Sequence, residues 1–152
     1  MTIAEKENVN QKHQFATFYV GSLMFGVDVQ EVQEIIRYQE MTPVPLASTT
    51  VRGLINLRGQ IITAIDLRRR LELVDRAADS LPMNVVVRTK EGTVSLLIDR
   101  VGDVLEIEER RFEVTPNTVD ECAREVVKGV YKLDRGLMLV LDTERAVEVP
   151  VN

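Results

Sequence analysis

A chain of 152 residues, 45% hydrophobic and 28% charged, suits one globular domain or two small units sharing a core. No run approaches the roughly 18 apolar residues of a membrane helix, and a net charge of −5 excludes the concentrated basic face of a phosphate-backbone binder. No nucleic-acid partner and no direct membrane insertion are therefore expected. The single cysteine, Cys122, can form no internal disulfide, and the first residues lack the basic and apolar stretches of a signal peptide, so a cytoplasmic location is expected.

Residues 1–13 are polar and read as a flexible N-terminus. Phe15, Phe18 and Val20, then Phe25 and Val27, form two apolar runs joined at Gly21-Ser22, the pattern of a hairpin. Asp28 opens a short helical segment in which Val29, Val32 and Ile35 share a face, and the prolines of Thr42-Pro43-Val44-Pro45 bar its continuation. The runs from Val51 to Leu57 and from Gln60 to Ile65 make a second hairpin around Arg58-Gly59, after which Asp66 caps a segment from Leu67 to Leu73. Residues 74–82 lose periodicity and read as a connection. A third hairpin follows, Val85 to Val87 and Val94 to Ile98 around Lys90-Glu91-Gly92, and Asp99 succeeds it as Asp28 succeeds the first.

The pattern is an internal duplication. Val32-Gln33-Glu34-Ile35 recurs as Val104-Leu105-Glu106-Ile107, which makes Val32 and Val104 equivalent; Gly53, Asn56-Leu57, Arg58-Gly59 and Asp66 recur as Gly129, Lys132-Leu133, Arg135-Gly136 and Asp142, with Asp134 inserted at the turn. Two copies of a unit of about 70 residues predict a mainly β fold, a single domain over 14–149 built from two pseudo-symmetric barrels. The halves would lie near 14–73 and 83–149, with exchange of strands between them left open. Gly53, Gly59, Gly129 and Gly136 are expected at structural turns.

Catalytic constellations are missing from this pattern. His13 is the sole histidine, which removes Ser-His-Asp and Cys-His chemistry, and one cysteine with one histidine cannot build a zinc site. There is no phosphate-binding glycine loop, and Cys122 lies among acidic neighbours that disfavour a thiolate. No catalytic residue, metal or cofactor is expected, and the chain reads as a non-enzyme. The runs Arg68-Arg69-Arg70 and Arg110-Arg111 read as solvated faces.

Four ordered blocks carry a family resemblance. Phe25-Gly26-Val27-Asp28-Val29 with Val32-Gln33-Glu34-Ile35, then Gly53-Leu54-Ile55-Asn56-Leu57-Arg58-Gly59 with Ile65-Asp66-Leu67-Arg68, closely resemble the CheW family and the matching module of CheA kinases. Leu97-Ile98-Asp99-Arg100-Val101 with Asp103-Val104-Leu105, and Gly129-Val130 with Leu139-Val140-Leu141-Asp142, complete the likeness. It implies two five-stranded SH3-like barrels with short helices, and an adaptor that couples the cytoplasmic helical hairpin of a chemoreceptor to the regulatory domain of a CheA-type histidine kinase in chemotaxis, at membrane receptor arrays. With the chain ending at Asn152, a stand-alone coupling protein is expected.

The resemblance further implies a receptor groove at Val29, Val32, Glu34, Arg58 and Val104; the kinase contact is expected at Tyr38, Met41, Leu46 and Val51. Turn chemistry accounts for Gly59 but not for a guanidinium at Arg58, whose rigid donor fork suits a carboxylate such as Glu34. Two other readings stand beside this one: a small-molecule, purine-like sensor, and an adaptor of a chemosensory pathway unrelated to swimming.

Overall fold

The structure, a computed structural model, describes residues 11–148. The N-terminal expectation therefore lies, for residues 1–10, outside the described residues, while Lys12 and His13 already belong to a strand. β1 (Lys12–Val20) and β2 (Leu23–Asp28) form the first hairpin. The Asp28 side chain accepts a hydrogen bond from Gln30 N, as a cap should, but what it caps is a single 3-10 turn, Val29–Glu31. The chain then enters β3 (Val32–Ile36), so the helix expected through Ile35 is corrected to a strand. Val29, Val32, Ile35 and Ile36 are β-branched, which costs rotamer freedom in a helix, and as a strand the segment gains a ladder to a later strand.

β4 (Val51–Leu57) and β5 (Gln60–Asp66) make the second hairpin, and Asp66 caps a one-turn helix α1 (Leu67–Arg70) by accepting from Arg68 N at 3.0 Å. β6 (Met83–Thr89) and β7 (Gly92–Ile98) make the third. β8 (Arg100–Glu108) leads through a 3-10 turn at Glu109–Arg111 to α2 (Glu121–Arg124), and β9 (Val127–Leu133), β10 (Gly136–Leu141) and α3 (Thr143–Ala146) close the described chain. None of these helices is long and apolar enough to cross a membrane.

The ten strands form two five-stranded sheets, ordered β8-β1-β2-β10-β9 and β3-β6-β7-β5-β4. Neither sheet coincides with one sequence half: the hairpin β1–β2 is seated among β8, β9 and β10, and the hairpin β6–β7 among β3, β4 and β5. Hydrophobic burial explains the exchange. The largest core cluster draws Phe18, Phe25 and Val27 from one sheet and Ile65, Val85 and Leu96 from the other, so the exchanged hairpins pack against each other between the sheets. Each sheet also encloses a smaller cluster of its own, around Ile55, Ile62 and Leu97 in one and around Phe15, Tyr131 and Met138 in the other.

Each sheet closes into a barrel where the segment after its edge strand crosses the opposite edge. Thr42 and Leu54 exchange two backbone hydrogen bonds of 2.8 Å, and Glu113 and Val130 exchange two of 2.9 Å. Gly53 and Gly129 sit beside these crossings, inside β4 and β9, which corrects their expected place at turns. A Cβ on Gly53 would lie 2.6 Å from Thr42 O, and one on Gly129 would lie 2.7 Å from Glu113 O and strike the Phe112 ring. The glycines are required by close backbone approach, whereas Gly59 lies in its turn and Gly136 directly follows one, as the first residue of β10.

Candidate functional site

The two-residue loop between β4 and β5 places Leu57 opposite Gln60, with Arg58 (φ 51°) and Gly59 (φ 88°) both left-handed. Two positive φ angles define the turn whose twist matches that of the flanking strands. Asn56 supports it by accepting from Gly59 N at 2.9 Å through Oδ1. The turn sends the Arg58 side chain back over the barrel to β3, where its fork engages Glu34: Nη1 donates to Oε1 at 3.1 Å and Nη2 to Oε2. That hydrogen bond with Arg58 holds the Glu34 carboxyl below its usual range, and Glu34 in turn raises the guanidinium's affinity for its proton. Arg58 is nonetheless 68% exposed and Glu34 21% exposed, so one face of the pair stays open to solvent.

The other candidate residues lie on both sheets. Val29 precedes β3 in the 3-10 turn, and Val32, at the start of β3, packs against the inter-sheet core. Val104 stands on β8 in the other sheet, 62% exposed. It is not the counterpart of Val32. The β1–β2 and β6–β7 hairpins match turn for turn, Phe18 facing Phe25 as Val87 faces Val94; Phe18's other neighbour is Val101, and Val87's is Val32. Val101 therefore corresponds to Val32 and Val104 to Ile35, so the equivalence read from the sequence is three residues out; the bulge that both edge strands carry falls at the same place in each and leaves this match intact. Among the residues expected at a kinase contact, Met41 packs on the core around Ile55, Val51 packs on the inter-sheet core, and Tyr38 is half-buried. Leu46 is fully exposed, in left-handed backbone (φ 64°).

A second polar assembly was not foreseen from the sequence. Asp99 joins β7 in one sheet to β8 in the other, and its carboxylate accepts from Gly21 N at 2.6 Å, from Arg68 Nη2 at 2.7 Å and from Arg76 Nε at 2.8 Å. Arg76 also donates to both oxygens of Asp66 at 3.2 Å and to Leu97 O, and its side chain is 93% buried within the otherwise irregular connection. Burial pushes the Asp99 carboxyl up, but the hydrogen bonds from Arg68 and Gly21 and the two arginine charges outweigh it and hold the group below its usual value. The run Arg68-Arg69-Arg70 is thus not a solvated face: Arg68 locks Asp99, Arg69 donates to Thr49 O at 2.9 Å, and Arg70 lies mostly buried between Glu125 and Arg145 O. Nothing in residue spacing marks Arg76 apart from other arginines in polar loops. Cys122 donates to Glu72 at 2.5 Å, which raises its thiol to about 11 and leaves it unreactive at neutral pH.

Comparison with known proteins follows the same lines. Residues 14–150 match the model of the CheW-like domain. The chemotaxis protein CheW of Thermotoga maritima is 34% identical over 134 residues, covering 87% of this chain and 85% of that one. CheW of Rhizobium meliloti is 30% identical over 146 residues, covering 95% and 93%. The crystal structure of the scaffolding protein TtCheW from Thermoanaerobacter tengcongensis superposes with a TM-score of 0.77 at 26% identity, over 86% of this chain and 89% of that one.

Proposed function

The chain belongs to the CheW-like domain family and is a non-catalytic adaptor of chemotaxis signalling; from that premise we propose that the Arg58–Glu34 pair is its contact with the cytoplasmic helical hairpin of a chemoreceptor. The observation that carries this reading is the cost of the pair. An exposed ion pair adds little to stability, and a left-handed arginine strains the backbone. A residue that costs stability at the surface is retained for what it meets there. A bidentate pair with one open face presents a fixed pattern of donors to a helix laid across β3, where Val29 and Val32 add stiff aliphatic surface and Val104 an exposed one.

The regulatory domain of a CheA-type kinase is the second partner, taken on the same barrel around Leu46, with Tyr38, Met41 and Val51 supporting that surface from beneath. Two contacts on one rigid body give the adaptor its place in receptor arrays at the membrane. The test is a pair of binding isotherms, one to a receptor hairpin fragment and one to the kinase regulatory domain. Arg58→Glu is expected to weaken the first at least about tenfold and to leave the second unchanged. Receptor binding unaltered by that change overturns the assignment.

A further inference from the structure

The two barrels repeat one unit but end differently. On the hairpin match that pairs Val101 with Val32, Asp103 holds in one barrel the place that Glu34 holds in the other; in the turn between β9 and β10, where Leu133 faces Gly136 as Leu57 faces Gln60, Asp134 holds the place of Arg58 and Arg135 that of Gly59. Asp103 and Arg135 do not pair. They line instead a cleft of about 490 Å³ at the mouth of their barrel, and among the described residues neither has a charged partner within 4.0 Å. The chemistry explains the opening: aspartate is one methylene shorter than glutamate, and the two loops are of equal length, which corrects the insertion read from the sequence and leaves Asp134, a carboxylate, where the other barrel has the Arg58 guanidinium.

The cleft is built for negative charge. Its floor is Met24, Leu105 and Leu133, and Arg100, Arg111 and Arg135 stand around it. Arg100 lies 3.8 Å over the Tyr19 ring, which fixes its plane while leaving its donor edge free, and Arg111 is steadied by donating to Lys132 O at 2.9 Å. Arg100 occupies the place that Glu31 holds in the matching barrel, so the charge there is reversed. Even with Asp103 and Asp134 on the rim, the arginines are in excess, in a chain whose net charge is −5.

We propose that this cleft docks an acidic segment of a partner protein, with its carboxylates on Arg135 and Arg100 and its apolar side chains on Met24, Leu105 and Leu133. The other barrel supplies the precedent within the same molecule: an arginine at this turn takes a glutamate from the facing strand through two parallel hydrogen bonds. In this barrel the carboxylate comes from outside. An apolar floor with a charged rim favours a peptide over a small anion, because only a peptide uses both.

The test follows backbone amide shifts of the isotopically labelled full chain during titration with a ten-residue peptide alternating glutamate and leucine. Saturable shifts are expected at Tyr19, Gly102, Leu133 and Gly136, with binding at least about tenfold weaker for the peptide carrying glutamine in place of glutamate and for the double variant Arg100→Gln, Arg135→Gln. Arg37→Gln, at an exposed arginine away from the cleft, is expected to bind as the unaltered chain does. Both cleft arginines are exposed, so the double variant keeps its fold, which the unshifted remainder of its spectrum verifies. Equal binding of the glutamine peptide, or shifts that survive the double variant, overturn the proposal. Inorganic phosphate producing the same shifts at comparable concentration identifies a small-anion site and overturns it as well.

Discussion

Arg58 holds a backbone conformation that asparagine adopts with less strain, and Asn-Gly is the preferred pair for a two-residue turn of this kind. Arg58→Asn is therefore expected to melt at the same temperature as the unaltered protein or higher while losing receptor binding; a lower melting temperature would mean that the ion pair serves the fold. Asp99 gives the opposite case, a charge that the fold does use. Its folded value is depressed, so its contribution is fully present above the unfolded carboxylate value of 3.8 and is lost as pH falls below that. Urea unfolding between pH 3 and pH 7 is expected to show stability falling steeply below about pH 4, with a shallower fall in Asp99→Asn, which is less stable at neutral pH. An identical acid limb in the variant sinks this assignment. Residue type alone pointed from Arg58 to Glu34, because a guanidinium in a turn lacks a local reason. Arg76 and Asp99 were invisible at that level, since what distinguishes them is burial, and burial depends on strands far away in sequence.

The hairpins were legible because their turns are marked by glycine and their strands by branched and aromatic side chains. β3 was not. Branched residues three apart fit one face of a helix as well as they fit a short strand, and only the ladder to β6 decides between them. The same strand misled the reading of the repeat, for Val101, Val104 and Ile107 recur at the spacing of Val32 and Ile35 and fit two alignments three residues apart, between which only the ladders decide. Gly53 and Gly129 looked like turn residues until the crossings at Thr42 and Glu113 showed what they avoid. Gly53→Ala is expected to cost about 1–3 kcal/mol, because the clash is with backbone that is itself hydrogen-bonded and cannot step aside. Chemical denaturation measures it, and a loss below about 0.5 kcal/mol would show that barrel closure tolerates the added methyl group.

Two barrels were readable from the duplication, but not which strands each would own, since pairing between distant segments has no local signature. The described structure mixes the halves in both sheets and joins them through the inter-sheet core. One cooperative unfolding transition is therefore expected, and fragments 1–78 and 79–152 are each expected to lack strand signal in circular dichroism alone and to recover it when mixed. A cooperative melt from either fragment by itself would contradict the interlaced core. Such a split leaves Arg76 on one piece and Asp99 on the other, so recovery should weaken in acid.

The interlacing also sets an order of events during synthesis. β3 to β7 are consecutive, and their sheet can be completed while the nascent chain is still being extended. β1 and β2 leave the ribosome before any of them, yet their outer neighbours, β8 and β10, come from the last third of the sequence. Until translation is almost finished the first hairpin has no sheet to join, and closing so long a loop is slow. Its shelter in the interval is the finished sheet, whose Val85, Val87 and Leu96 offer Phe18 and Phe25 an apolar face to rest on. The first element made is thus the last to be locked in place, and a ribosome that stalls late would hold a half-protein with one barrel complete and the other's first hairpin waiting.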